Sequence, residues 1–126
     1  MVITMKKEID TGAAKLGPYS AAIENGGTLY TSGQLGLDAS GAFAGADAAA
    51  QAKQAMQNLK AILEAAGYTF DDVVKALIFV TDLADFAAVN EVYASFLKAP
   101  YPARSCVQVA ALPRGGKVEI EMIAAR

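Results

Sequence analysis

The chain has 126 residues, 54% of them apolar, with 11 basic and 13 acidic side chains, so it reads as one globular domain of net charge −2. It holds no histidine and a single cysteine; Ser-His-Asp triads, Cys-His dyads, His-ligated zinc, the paired-histidine ribonuclease mechanism, an internal disulfide and a Cys-rich metal site are excluded together. A pI near 5.0 speaks against a strongly basic nucleic-acid binder.

No run of about 18 apolar residues is present, so no transmembrane helix is expected. The start, Met1-Val2-Ile3-Thr4-Met5-Lys6-Lys7, has charge without a long apolar stretch behind it, which predicts no secretory signal and a reduced, cytoplasmic setting. Met5 is as good a start as Met1. A small strand is expected near residues 6–9. Residues 19–35 read as two strands around the Gly26-Gly27 turn, with Tyr19, Ala21 and Ile23 alternating against Ser20, Ala22 and Glu24. Thr28 to Ser32 forms the second strand, and Gly33 ends it. Asp38-Ala39-Ser40-Gly41 is a loop by its turn chemistry.

The period then changes. Ala52, Ala55, Met56, Leu59, Ile62, Leu63 and Ala66 predict an amphipathic helix over 48–66, with Asp47 as N-cap and Gly67 as a left-handed C-cap. Gln51, Gln54, Gln57 and Lys60 are expected on its wet face. Residues 73–81 are almost all apolar or β-branched, the mark of a strand covered on both faces. Asp82 or Asp85 caps a second helix whose buried stripe is Phe86, Val89, Tyr93, Phe96 and Leu97, and Pro100 and Pro102 stop it. Residues 103–110 and 117–124 are two final strands. The order β-β-α-β-α-β-β predicts an α+β single domain over 1–126, a mixed sheet with two helices on one face. The other face would be a large apolar patch unless a second copy covers it, so a homo-oligomer is expected.

Arg104, near the start of a strand among apolar residues, calls for a negative partner: a structural ion pair, an edge-strand charge that discourages aggregation, or an anionic ligand. Glu119 and Glu121 share one strand face, opposite Val118, Ile120 and Met122. They form either a solvated face or a carboxylate that handles water. If the last two strands formed a plain hairpin closing around 112–116, Arg104 would pair near Ala124, about five residues or roughly 15–17 Å from Glu119. An intervening strand would separate them further. Were both to serve one pocket, they would come from different subunits. Asn90 sits at the edge of the second helix's apolar stripe, as a loop hydrogen bond or a cleft residue. Ser32 and Gly33 read as turn chemistry, Tyr19 as a packed aromatic with a wet hydroxyl, and Cys106 as a small buried hydrophobe without a base to activate it. No phosphate loop, dinucleotide fingerprint or metal-ligand cluster appears.

Gly17-Pro18-Tyr19-Ser20, Thr31-Ser32-Gly33-Gln34, Phe79-Val80-Thr81-Asp82-Leu83, Val89-Asn90, Tyr101-Pro102-Ala103-Arg104-Ser105-Cys106-Val107 and Val118-Glu119-Ile120-Glu121 resemble the RidA/YjgF (Rid) family. The resemblance runs from about Lys6 to Arg126, and the Pro-Ala-Arg-Ser-Cys-Val block with Val-Glu-Ile-Glu is its specific part. It implies a chorismate-mutase-like homotrimer, with a central barrel of sheets, helices outside and clefts between subunits. It also implies hydrolytic deamination of 2-aminoacrylate, 2-iminopropanoate and 2-iminobutanoate to 2-keto acids and ammonia, without cofactor or metal. Arg104 would clamp the carboxylate and Glu119 would orient or deprotonate water. Tyr19, Ser32, Asn90 and Cys106 would border the substrate, Cys106 through its backbone. A non-enzymatic ligand sensor, a holdase-like chaperone, and an endoribonuclease or translation inhibitor are the competing readings. The chain departs from the common pattern at Gly12-Ala13-Ala14-Lys15-Leu16, at Ala21 and at Gly36, positions that border the cleft entrance and bear on substrate preference.

Overall fold

The computed structural model describes residues 5–126, so Met1, the alternative start to Met5, lies outside the described residues. The elements are β1 (Lys7–Ile9), β2 (Ala22–Asn25), β3 (Thr28–Thr31), β4 (Gln34–Leu35), α1 (Ala48–Ala65), β5 (Val73–Val80), α2 (Phe86–Ser95), β6 (Ala103–Gln108) and β7 (Val118–Ala125). One mixed sheet runs β1-β2-β3-β7-β5-β6, and β4 also pairs with β7. The helix-linked pair β5 and β6 is parallel; the other pairings are antiparallel. This is the α+β domain expected from the pattern, with the small strand β1 in place. Among the described residues no helix is long and apolar enough to cross a membrane.

Local chemistry accounts for most boundaries. Gly26 and Gly27 take φ of 60° and 83°, the left-handed pair that a two-residue hairpin requires. The Asp47 carboxylate accepts from Ala50 N–H at 2.8 Å and starts α1. Asp82 caps not α2 itself but a 3-10 turn, Leu83–Asp85, that leads into it. Val73, Ala76, Ile78 and Val80 of β5 and Val118, Ile120, Met122 and Ala124 of β7 bury one sheet face under Leu59, Ile62, Leu63, Val89 and Tyr93 of the helices. At roughly 25 cal/mol per Å² of apolar surface, this layer is the main source of stability.

Several expectations need correction. Gln51 was placed on the wet face of α1, yet it is 3% exposed. Its side chain donates to Gly45 O at 3.0 Å and accepts from Lys117 N–H at 2.8 Å, because two loops lie over that edge of the helix. Phe86 is not buried in the α2 stripe but 37% exposed. Tyr19 precedes β2 and belongs to no strand. Gly33 follows the end of β3 as expected, but the chain then re-engages β7 through a further short strand, β4. Of the two arrangements considered for the final strands, the structure has the intervening strand: β5 lies between them.

The sheet face opposite the helices carries cross-strand rows of half-buried and exposed side chains. Ile23, Tyr30 and Ile123 align in one row, and Glu119, Phe79 and Val107 in another. Tyr30 and Val107 are 49% and 42% exposed, so within one chain this face has no cover.

Candidate functional site

Glu119 stands on β7, on the uncovered face, beside a cleft of about 880 Å³. The cleft runs between the segment 11–19, the β3–β4 junction, α1 and the turn at Pro113-Arg114, and Tyr19 and Ser32 line it with Glu119. Gly33 lets the carboxylate lie there: a Cβ at position 33 would sit 2.7 Å from Glu119 Cδ. Burial pushes the Glu119 carboxyl above its ordinary range, and Glu121 on the same face pushes it further. The protonated form of Glu119 is therefore favoured more than in a free glutamate.

The neighbouring hydroxyls are directional. Ser32 Oγ donates to Ser20 O at 2.6 Å, so its lone pairs remain for an incoming N–H or water. Tyr19 Oη accepts from Leu16 N–H at 3.1 Å and keeps its own proton to donate. Lys15, paired with Glu8 at 3.3 Å, and Arg114 bring cationic groups to the same cleft. Arg114 holds a left-handed φ of 59° and donates to Gly41 O at 2.9 Å. Across from them, Asp38 is held below its ordinary range by the Ser40 hydroxyl and the Ala42 N–H.

Arg104 lies on the other face. In β6 its register partner is Ala76, which in turn faces Met122, and both of these are buried beneath the helices. The half-buried guanidinium packs on α2. It donates to Asn90 Oδ1 and sits 5.6 Å from the Phe86 ring and 5.1 Å from the Tyr93 ring. Among the described residues the ion pairs are Lys15–Glu8 and Lys98–Asp71, and neither involves Arg104. Cys106, two residues on, shares this face and packs against the core. Burial raises its thiol pKa and the Arg104 charge opposes the rise, so the thiol is no ready nucleophile.

The six candidate residues therefore fall into two groups within one chain. Tyr19, Ser32 and Glu119 share the cleft; Arg104, Asn90 and Cys106 share the α2 side. The register sets Arg104 three residues and two strands from Glu119, about 14 Å across the sheet. That is no farther than the hairpin estimate. What keeps the two apart is that they occupy opposite faces.

Sequence reading missed four contributors. Phe86 and Tyr93 appeared only as core stripe, although their spacing with Asn90 at i, i+4 and i+7 was the visible signal of a shared face. Gly33 appeared only as turn chemistry, because a close approach to a side chain far along the sequence leaves no local mark. Arg114, within the 112–116 connection, carries no local signal of a role. Among the described residues no cluster of three or more His, Cys, Asp or Glu side chains could hold a metal ion.

A seven-stranded mixed sheet with two helices on one face, an arginine against one helix that has no ion-pair partner among the described residues, and a carboxylate in a cleft on the far side belong to a single domain of the α+β class. The family described as Endoribonuclease L-PSP matches residues 10–126, and the chain belongs to it, the RidA/YjgF family. It is 51% identical over 112 residues to the 2-iminobutanoate/2-iminopropanoate deaminase of Capra hircus, covering 88% of this chain and 82% of that one. It is 47% identical over 127 residues to the deaminase of the same name from Escherichia coli, covering 97% and 99%. The crystal structure of RidA from an Antarctic Psychrobacter superposes with a TM-score of 0.88 at 51% identity, covering 93% of this chain and 95% of that one.

Proposed function

We propose that this chain is a hydrolase that converts small 2-imino or 2-enamino carboxylates, of the 2-iminopropanoate and 2-iminobutanoate type, to 2-keto acids and ammonia. The observation that carries the reading is the half-buried Arg104 guanidinium, which has no carboxylate partner among the described residues and is free to take one from a ligand. The names of the deaminases at 47–51% identity support the same substrate class.

Arg104 binds the substrate carboxylate through two parallel N–H donors. The iminium carbon is already electrophilic, so positioning and one water suffice, with no cofactor. Glu119 orients that water and takes its proton as the oxygen attacks C2. Glu119 returns that proton to the nitrogen of the tetrahedral adduct, the C–N bond breaks as the carbonyl of the keto acid forms, and the departing ammonia takes the hydroxyl proton and leaves as ammonium. Ser32 accepts from the nitrogen or the water, Tyr19 closes the cleft, and the Cys106 backbone touches the substrate from the arginine side. Since Arg104 and Glu119 occupy opposite faces of one chain, the reading requires Arg104 of one copy to meet Glu119 of another, in a homotrimer whose uncovered sheet faces close a central barrel. Such a protein would act in the cytoplasm, beside the enzymes that release these imines. The endoribonuclease in the family description finds little support in an acidic chain without histidine.

Chain mixing tests both parts of the proposal. Threonine dehydratase generates 2-iminobutanoate, semicarbazide traps what escapes, and the protein competes with the trap. Arg104→Ala and Glu119→Gln are each expected to be inactive alone. Co-refolded in equal amounts, they should regain about a quarter of wild-type activity, because random pairing around a ring leaves that share of sites intact. Mixing without recovery would remove the shared site. A wild type that binds 2-ketobutanoate yet diverts no imine would make the chain a ligand sensor.

A further inference from the structure

We propose that Phe86, Asn90 and Tyr93 form a charge-neutral cradle on α2 that fixes the pose of Arg104 while leaving its positive charge uncompensated, so that Phe86 and Tyr93 are positioning residues for the carboxylate site. The inference rests on the reading of Arg104 as a carboxylate clamp and adds what the rest of the chain does to make the clamp available.

A half-buried guanidinium ordinarily recruits a carboxylate. Here α2 offers three groups at i, i+4 and i+7 of one face, and none is charged. The Asn90 amide oxygen accepts one N–H, and the rings of Phe86 and Tyr93 present their electron-rich faces at 5.6 and 5.1 Å. The acids nearest in sequence, Asp85 and Glu91, lie one position outside this face at either side, and neither forms an ion pair with Arg104. Helix and strand together restrain the long side chain, which lowers the ordering cost when a ligand arrives. A carboxylate in the cradle would do the same restraining but would have to be displaced by the ligand's own, and the exchange of one ion pair for another gains little.

Tyr93 carries an independent mark of this role. Its hydroxyl is buried with no hydrogen-bond partner among the described residues, so within the chain it is the ring and not the oxygen that meets Arg104. Ring chemistry alone makes a specific demand: phenylalanine should serve in its place and leucine should not.

The test is Asn90→Asp, which keeps shape and changes only the charge, beside Tyr93→Leu and Tyr93→Phe. Binding of 2-ketobutanoate by titration calorimetry, KM and kcat for the imine, and the melting temperature are measured on each. Asn90→Asp should pair with Arg104, melt no lower than wild type, and bind the keto acid at least about tenfold more weakly, with the loss in KM more than in kcat. Tyr93→Leu should raise KM, and Tyr93→Phe should restore it. If Asn90→Asp binds the keto acid as wild type does, the neutral charge of the cradle is not what matters and the proposal falls while the clamp stands. Equal losses in Tyr93→Leu and Tyr93→Phe would overturn the ring's role. A wild type that binds no keto acid would bring down the clamp and the cradle together.

Discussion

The two halves of the candidate site are built by opposite means. Arg104 stands on a regular strand against a regular helix, held by an amide and two rings. Glu119 lies over the Ser32-Gly33 break between two short strands, in a cleft walled largely by loops. The first half preserves a charge; the second makes a charge easy to lose. Were both side chains neighbours within one chain, they would pair: the carboxyl would fall back to a low pKa and the guanidinium would be neutralised. Opposite sheet faces keep the two apart within one chain.

Breaking the arginine half should have the largest effect. Arg104→Ala is expected to cost about a hundredfold or more in kcat/KM, the scale of losing two charge-assisted hydrogen bonds. Far-ultraviolet circular dichroism should be unchanged, since the side chain is half exposed at the sheet edge; a dissociated or unfolded variant would make Arg104 structural. Gly33→Ala strikes the other half through geometry alone. Its Cβ would meet the Glu119 carboxyl at 2.7 Å, and that mobile group can swing aside. About tenfold loss of kcat with little change in melting temperature is expected, as for a group displaced by roughly 1 Å. A melting point several degrees lower would show that the backbone, not the carboxyl, had yielded.

The smallest effect is in the pH dependence of stability. The folded chain favours the neutral form of Glu119, and so binds more protons there than the unfolded chain does. Its contribution is therefore fully present below the ordinary value of 4.5 and is lost as pH rises through the raised one. Under its proposed role as base, activity is expected to rise over the same interval. Melting curves of wild type and Glu119→Gln from pH 4 to 8 should diverge, with the variant flatter; parallel curves would mean that the carboxyl is not perturbed.

The contrast also explains what was legible in the sequence. The 3.6-residue period and Asp47 mark α1, and the unbroken apolar run marks β5, because local periodicity encodes burial against the rest of the chain. Alternation in β7 places Glu119 and Glu121 together, opposite the core. It does not relate that face to the one Arg104 occupies, since the comparison passes through β5 and its register with both neighbours. Gln51 and Gly33 escaped for a related reason: each answers to a segment distant in sequence. The site residues themselves stood out through the family resemblance; as isolated residues, Arg104 read more readily as structural and Asn90 equally well either way.

β7 is the last strand in the sequence, yet it sits between β3 and β5 and also accepts β4. During synthesis the β1–β3 meander and the parallel β5–β6 pair each expose an unpaired edge until residues 118–125 emerge. The sheet therefore cannot nucleate from its N-terminal half and grow outward; it closes when its middle arrives. Folding should be dominated by sequence-distant pairings and be slow for a chain of this length. Truncation within residues 118–125 should leave two separate strand groups prone to pair with other chains.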